Sequence, residues 1–337
     1  MRAVGYQQSL PYTDKLALQD IEISRPICGD HDVLVRVRGI GLNPVDTKIR
    51  QRKEAAAGEY VVLGWDAAGT IVDCGSQVTN FKVGDEVWYA GAVNRDGCNA
   101  EYQSVDSRLI SARPTTLSAA DAAAMPLTFL TAWELLFDRL QLDKDAPNVL
   151  LITGAAGGVG SALIQLTKAL TRTTVIATAS RAETKQWVKQ LGADIIINHH
   201  QTLAPQLKEY DINDVTHVAS LTHTEQHFEQ LVELLEPQGR LALIDDPKDP
   251  LPIGLMKQKS LSLHWEFMFT RSLFTTKDIS KQGEILAQVA NLVDTGAIQT
   301  TRFQHLGTIS AETLRQAHGT LEAHQAIGKL VVDGYPD

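Results

Sequence analysis

The run Gly154-Ala155-Ala156-Gly157-Gly158-Val159-Gly160 lies between an apolar segment and a helical pattern. Its small residues let a backbone approach a pyrophosphate closely, and a helix starting near Gly158 aims unpaired N–H groups at that negative charge. The spacing meets G-x-G-x-x-G from position 155, with Ala155 in place of the first glycine. Strand before and helix after give such a turn its meaning, and the reading is dinucleotide binding by Ala155, Ala156, Gly157, Gly158, Val159 and Gly160. The alternative is a tight strand-to-helix turn and nothing more. An NAD site carries an acid about 20 residues further on to hold the ribose hydroxyls. Here the next strand ends Ala177-Thr178-Ala179-Ser180-Arg181. Ser180, Arg181 and Lys185 can hydrogen-bond or pair with a phosphate, so NADP(H) fits better than NAD. The competing reading makes Arg181 and Lys185 a solvated helix start and leaves the ribose to Glu183.

No pattern of this quality points to a metal. Cys28, Cys74 and Cys98 are widely spaced and form no CxxC. His223 and His227 have the i, i+4 spacing of a helical chelate, but no third ligand completes it and no Glu directly follows the first histidine, so no metal ligand is expected there. Asp245-Asp246-Pro247 ends a strand at the edge where ligands bind, yet it also reads as ordinary turn chemistry, which is the favoured assignment.

The elements that position these residues fall into two domains, as 337 residues exceed what one core usually serves. Residues 1–113 alternate short β-branched runs with turns, at 33–38, 69–72 and 83–89. From Ser118 to Leu140 the texture becomes Ala-rich and helical, with Ser118 as a cap. Buried strands then alternate with amphipathic helices, the pattern of a parallel sheet covered on both faces. Strands are expected at 149–153, 174–178, 195–197, 215–220, 241–244 and 260–267. Helices are expected at 158–170, 182–191 and 225–235, with Gly239 serving as the turn after the last of them. Beyond residue 270 come a helix at 279–294, a strand at 300–306, a helix at 311–322 and a strand at 329–332. That tail has no core of its own and is expected to pack on the N-terminal β region.

With 44% hydrophobic and 21% charged residues, the composition is that of a soluble globular protein. A net charge of −9 and no basic run argue against nucleic acid or an anionic membrane as partner. The uncharged stretch 148–167 is interrupted by four glycines and reads as strand, turn and helix rather than as a membrane span. No signal-like segment opens the chain, and the cysteine usage suits a reducing compartment, so a cytoplasmic location is expected.

Four stretches carry a likeness in order and spacing: residues 43–50 (Asn-Pro-Val-Asp-Thr-Lys-Ile-Arg), 63–69, 126–134 and the glycine turn. Together they resemble the medium-chain dehydrogenase/reductase superfamily over nearly the whole chain. Residues 221–224, 243–247 and 264–271 look like its zinc-type alcohol dehydrogenase-like group, close to quinone oxidoreductases. The resemblance implies an α/β architecture: a GroES-like, mostly β catalytic domain (residues 1–125, completed by 270–337) and a doubly wound Rossmann domain (126–269). It also implies a cleft between them where nicotinamide meets substrate. Thr131, Leu221 and Thr222 then join the cofactor contacts, and His199 falls where relatives place an aromatic near the adenine ribose phosphate.

One departure bears on mechanism. Asn43 stands where zinc alcohol dehydrogenases carry a cysteine ligand, Trp65 where they carry a histidine, and Leu127 at the second cysteine, so no zinc is expected. Asn43 and Asp46 take substrate-pocket positions, where an amide could hold a carbonyl oxygen; equally, they form an Asn-Pro turn with Asp46 as helix cap. Lys48 is either a proton donor or a surface lysine, and Trp65 a pocket wall. The leading expectation is a zinc-independent NADPH oxidoreductase acting on a quinone, activated alkene or reactive carbonyl. A zinc alcohol dehydrogenase and a non-catalytic NADPH sensor are the alternatives. A homodimer through 260–267 is expected, because an apolar edge strand is otherwise exposed.

Overall fold

The computed structural model describes residues 1–336 and resolves two compact units. One comprises Met1–Leu130 with Phe269–Asp337, the other Thr131–Met268. The sequence placed these divisions at 125/126 and 269/270; the stretch after Ser118 that blurs the first of them is broken helix rather than one helix. Ser118 caps Ala119–Ala123 by accepting from the Asp121 N–H, and Pro126 then restarts the chain as Pro126–Trp133. Proline lacks the N–H and disfavours a helical residue before it, so a continuous helix cannot form across this point. The following turn, Glu134–Arg139, is a π-helix.

The second unit is a six-stranded parallel sheet. Its strands run in the order Ile195–Ile197, Thr174–Thr178, Val149–Thr153, Val215–Ser220, Leu235–Leu243 and Ser262–Trp265. This is the doubly wound 3-2-1-4-5-6 order, whose reversal between the first and fourth strands opens a crevice at their carboxyl ends. Leu151, Ile176, Val218 and Leu241, fully buried, form the sheet's share of a core closed by Phe228, Leu231 and Leu203. Gly239 does not end a helix as expected. Helix Thr224–Leu234 passes directly into strand Leu235–Leu243, with Leu235 already extended. Gly239 lies inside that strand because a Cβ there would stand 2.9 Å from the Glu236 carbonyl and 3.2 Å from that of Thr216. The edge strand is also shorter than the 260–267 expected, since Ser260 adopts φ +52°.

In this unit two acids share a buried site. Glu266 follows the edge strand and is 3% exposed; its Oε2 receives Arg139 Nε at 2.8 Å, and the fully buried Glu134 lies close enough to act on it. Burial first, and then the charge of Glu134, push the Glu266 carboxyl up to about 8. The folded state therefore holds a proton that the unfolded chain releases above its ordinary value of 4.5, so stability declines as pH rises from about 4.5 to about 8. Glu134→Gln removes the like charge and is expected to shrink the difference in melting temperature between pH 6 and pH 8. An unaltered pH profile would show that the pair is not what titrates.

The first unit carries a seven-stranded sheet. Its path is Arg302–Thr308, Lys329–Asp333, Asp32–Gly41, Ala67–Cys74, Glu86–Tyr89 and Ile110–Ala112, with Tyr102–Asp106 also paired to Asp32–Gly41. A three-stranded sheet of Gln19–Glu22, Arg2–Tyr6 and Val61–Val62 accompanies it. The tail strand Lys329–Asp333 pairs antiparallel with Asp32–Gly41, setting Val331 opposite Gly41. That pairing places residue 329 beside residue 43, where the chemistry of this unit gathers. Among the described residues no helix is long and apolar enough to cross a membrane.

Candidate functional site

Asn43 caps the nine-residue helix Pro44–Arg52, which Pro44 enters with its φ already fixed. Asp46 reaches back so that its Oδ2 accepts the Asn43 N–H at 2.7 Å, completing a capping box. Both side chains are buried, Asn43 at 1% and Asp46 at 0% exposure. Burial pushes the Asp46 carboxyl up to about 7, against the opposing influence of the Asn43 N–H and the Lys329 charge.

The centre of this cluster is Asp66, fully buried and not singled out by the sequence. Its Oδ1 accepts the Leu127 N–H at 3.1 Å, and its Oδ2 accepts Asn43 Nδ2 at 3.2 Å and Lys329 Nζ at 2.8 Å. Lys329, 3% exposed, also donates to Asn43 Oδ1 at 2.6 Å. This fixes the amide orientation: the oxygen must face the ammonium and the nitrogen must face Asp66 and the Gly41 carbonyl, 3.4 Å away. Both amide hydrogens are thus directed into the protein. Burial raises the Asp66 carboxyl, and the Lys329 charge pulls it back.

Trp65 is 3% exposed; its indole N–H donates to the Ala92 carbonyl at 3.0 Å, and its ring meets Phe269 edge-on at 6.4 Å. Lys48 is half-buried on the helix that Asn43 caps. Cys98 is buried, its thiol raised by burial, with Sγ 3.7 Å from the Asp66 carbonyl.

The three positions where zinc alcohol dehydrogenases carry ligands offer none of the usual zinc donors. The Asn43 oxygen is already held by Lys329, the Trp65 nitrogen is a proton donor with an accepting partner, and Leu127 offers only an alkyl chain and an N–H. Among the described residues no group of three or more His, Cys, Asp or Glu is arranged to hold a metal.

In the other unit the glycine turn fits a dinucleotide. Strand Val149–Thr153 leads to Gly154, whose φ of +65° and near approach to Thr222 exclude a side chain. Helix Gly158–Leu170 begins with Gly157 as a cap that has no side-chain bond, so its first N–H groups have no partner from a capping side chain. A Cβ on Gly157 would touch only the Gly154 carbonyl, at 3.5 Å. That opening before the helix start is the space a pyrophosphate needs. Ser161 steadies the start by donating to the Gly157 carbonyl at 2.7 Å while accepting from Trp187 at 2.8 Å.

Beside it, at the crevice where strand order reverses, the Thr153 hydroxyl accepts the Leu221 N–H at 3.1 Å. Leu221 and Thr222 are half-buried there. Asp245, read from sequence as a turn residue, lies at a bend and also accepts both the Thr224 N–H (3.0 Å) and its hydroxyl (2.6 Å), which anchors the helix start at Thr224.

Ser180 and Arg181 follow the second strand and His199 follows the third; Thr178 pairs with Ile197, so these two strand ends are neighbours at one sheet edge. Arg181 is the exposed cap residue of helix Ala182–Gln190, and Lys185 lies exposed one turn on. His199 lies 4.4 Å from the His200 ring and 6.4 Å from that of His227. Burial and the neighbouring histidines lower its pKa. Thr131, 5% exposed, opens this unit. The sequence thus named the glycine turn and the Asn43–Asp46 box. It missed Asp66 and Lys329, which lie 263 residues apart and which no local pattern marks.

Comparison with known proteins gives a consistent assignment. Residues 29–116 match the alcohol dehydrogenase GroES-like domain family, and residues 158–287 the zinc-binding dehydrogenase family. A zinc-type alcohol dehydrogenase-like protein of Staphylococcus epidermidis is 37% identical, with 99% of each chain covered. The solved structure of a Rhizobium etli protein, provisionally described as a zinc-dependent alcohol dehydrogenase, is 45% identical with a TM-score of 0.97 over 100% of this chain and 99% of that one. The quinone oxidoreductase of Coxiella burnetii is 27% identical with a TM-score of 0.81 over 98% of both.

Proposed function

Because the chain belongs to the medium-chain dehydrogenase/reductase superfamily, in the zinc-type alcohol dehydrogenase-like group close to quinone oxidoreductases, and is an oxidoreductase, we propose that it reduces a quinone, an activated alkene or a reactive carbonyl with NADPH and without zinc. The observation that carries this reading is that the Asn43 amide, the Trp65 indole and the Leu127 side chain stand where a zinc enzyme needs cysteine and histidine, while the Lys329 ammonium holds the Asn43 oxygen and the Asp66 carboxylate.

When bound, the nicotinamide supplies a hydride to an electrophilic carbon. Its pyrophosphate is assigned to the turn at residues 155–160, its position to Thr131, Leu221 and Thr222, and its ribose phosphate to Ser180, Arg181 and Lys185 with His199 nearby. Asn43 and Asp46 are assigned to holding the substrate side of the pocket in shape, with Trp65 as its wall. With its amide hydrogens directed at Gly41 and Asp66, Asn43 acts on the pocket through position rather than as an oxyanion donor. Lys48 remains the proposed source of the proton.

NADPH oxidation measured across quinones, enals and aldehydes tests the reading directly; no turnover with any of them would remove it. With an accepted substrate, Asn43→Ala is expected to lower the melting temperature, because it leaves Lys329 short of one charge-assisted bond, a loss of about 1.5–3 kcal/mol. A fall in turnover by about 10²–10³ with stability intact would restore the donor role. Lys48→Met is expected to slow turnover without weakening NADPH.

Dimerisation is proposed through the edge strand Ser262–Trp265, where Trp265 and the following Phe267 are 53% and 48% exposed. A sheet edge of this kind pairs readily with its own copy. A strictly monomeric species in light scattering at micromolar concentration would refute it.

A further inference from the structure

Three segments that a zinc enzyme would draw on, at Asn43, at Trp65-Asp66 and at Leu127, meet on one carboxylate. The charge facing that carboxylate belongs to the chain itself. Lys329 comes from the tail strand, is held in register by its own N–H donating to the Thr301 carbonyl at 2.8 Å, and buries its ammonium against Asp66 and Asn43. We propose that Lys329 is the resident cation of this pocket: a tethered positive charge that holds these three segments together and shuts divalent metal out of the Asp46–Asp66–Asn43 cage. The proposal rests on the zinc-independent reading above.

The physical case is one of charge and donors. Asp66 is fully buried and accepts three hydrogen bonds, two from uncharged N–H groups and one from the ammonium. Ionised carboxylates survive such burial only when paired and hydrogen-bonded, and Lys329 is the partner. Asp46 stands close enough that the Asp66 charge raises its carboxyl further, and its second oxygen, Oδ1, has no partner. Without the ammonium the cage would present up to three oxygen donors, from Asp46, Asp66 and Asn43, around an uncompensated negative charge. Oxygen donors of that kind suit hard divalent ions such as Mn²⁺ rather than the sulfur and nitrogen sites of structural zinc. Lys329 is therefore a positioning residue: it reaches the pocket through Asn43 and Asp66.

The test compares wild type, Lys329→Met and Lys329→Met/Asp66→Asn in full-length protein, reading Mn²⁺ binding by loss of the free-ion resonance and melting temperature with and without Mn²⁺. Wild type is expected to bind no Mn²⁺ at this site and to gain no thermal stability from it. Lys329→Met is expected to melt lower, to bind Mn²⁺ at least tenfold more tightly than wild type, and to regain stability when the ion is added. The double variant, with both charges gone, is expected to recover melting temperature and lose the ion. A folded Lys329→Met that binds Mn²⁺ no better than wild type overturns the proposal. Should that single variant fail to fold, a double variant that fails equally overturns it and one that folds supports it. About one zinc per wild-type chain by elemental analysis would instead sink the zinc-independent reading itself, whatever the variants do.

Discussion

Gly160→Val is expected to lower NADPH affinity by about 10- to 150-fold or more, since shifting the turn loses at least one charge-assisted contact of about 1.5–3 kcal/mol. A Cβ at residue 160 would lie 2.4 Å from the carbonyl oxygen of Ala155, 2.5 Å from its Cα and 2.6 Å from its carbonyl carbon. All three are backbone atoms, so no rotamer relieves the overlap, and either the turn or the first turn of helix Gly158–Leu170 must shift. Stability should fall with affinity. Gly157→Ala supplies the contrast, because its Cβ meets only the Gly154 carbonyl at an ordinary 3.5 Å. The chain is expected to accept that methyl group, and a pyrophosphate seated on the helix start, as proposed, is expected not to. Melting temperature should hold while NADPH affinity drops, as read by fluorescence titration. A Gly157→Ala protein that binds NADPH like wild type would remove the pyrophosphate assignment, whereas equal losses of stability in both variants would make the turn merely structural.

Arg181→Ala should weaken NADPH by about 10- to 150-fold and leave NADH nearly unchanged, since a charge-assisted bond is worth about 1.5–3 kcal/mol. Arg181 is the exposed cap of helix Ala182–Gln190, immediately after Ser180, and no acid precedes it at the strand tip to claim the ribose hydroxyls. Its exposure means that salt screens the contact, so the discrimination should diminish as ionic strength rises. Isothermal titration with both nucleotides at low and high salt measures the ratio. If the NADPH/NADH ratio survives the substitution, the phosphate is held elsewhere, and Lys185 and His199 become the next residues to replace. If NADH weakens equally, Arg181 positions the helix rather than reading the phosphate.

What the sequence determined by itself was local. Helices Gly158–Leu170 and Ala311–Glu322 and strands Val149–Thr153, Thr174–Thr178, Ile195–Ile197 and Val215–Ser220 lie at the residues their patterns indicated, because apolar periodicity and glycine or serine punctuation act within a few residues. The glycine turn was legible for the same reason: size, spacing and flanking elements are all written contiguously. The break at Pro126 was written there too, though the Ala-rich texture around it concealed the end of one helix and the start of another. Gly239 misled because a glycine after a helical pattern usually ends the helix, whereas here the close approach of the Glu236 and Thr216 carbonyls requires it. The ionic centre depended on tertiary structure alone. Asn43 and Lys329 are 286 residues apart and meet only because strand Lys329–Asp333 adds to the sheet beside Asp32–Gly41. Neither Lys329 nor Asp66 reveals that partnership in its own neighbourhood: a lysine that opens an apolar strand reads as a solvated end, and nothing beside Asp66 in the sequence marks its partner. Burial converts them into a matched pair, because a charge withdrawn from water must find its opposite, and only the folded sheet brings that opposite within 2.8 Å.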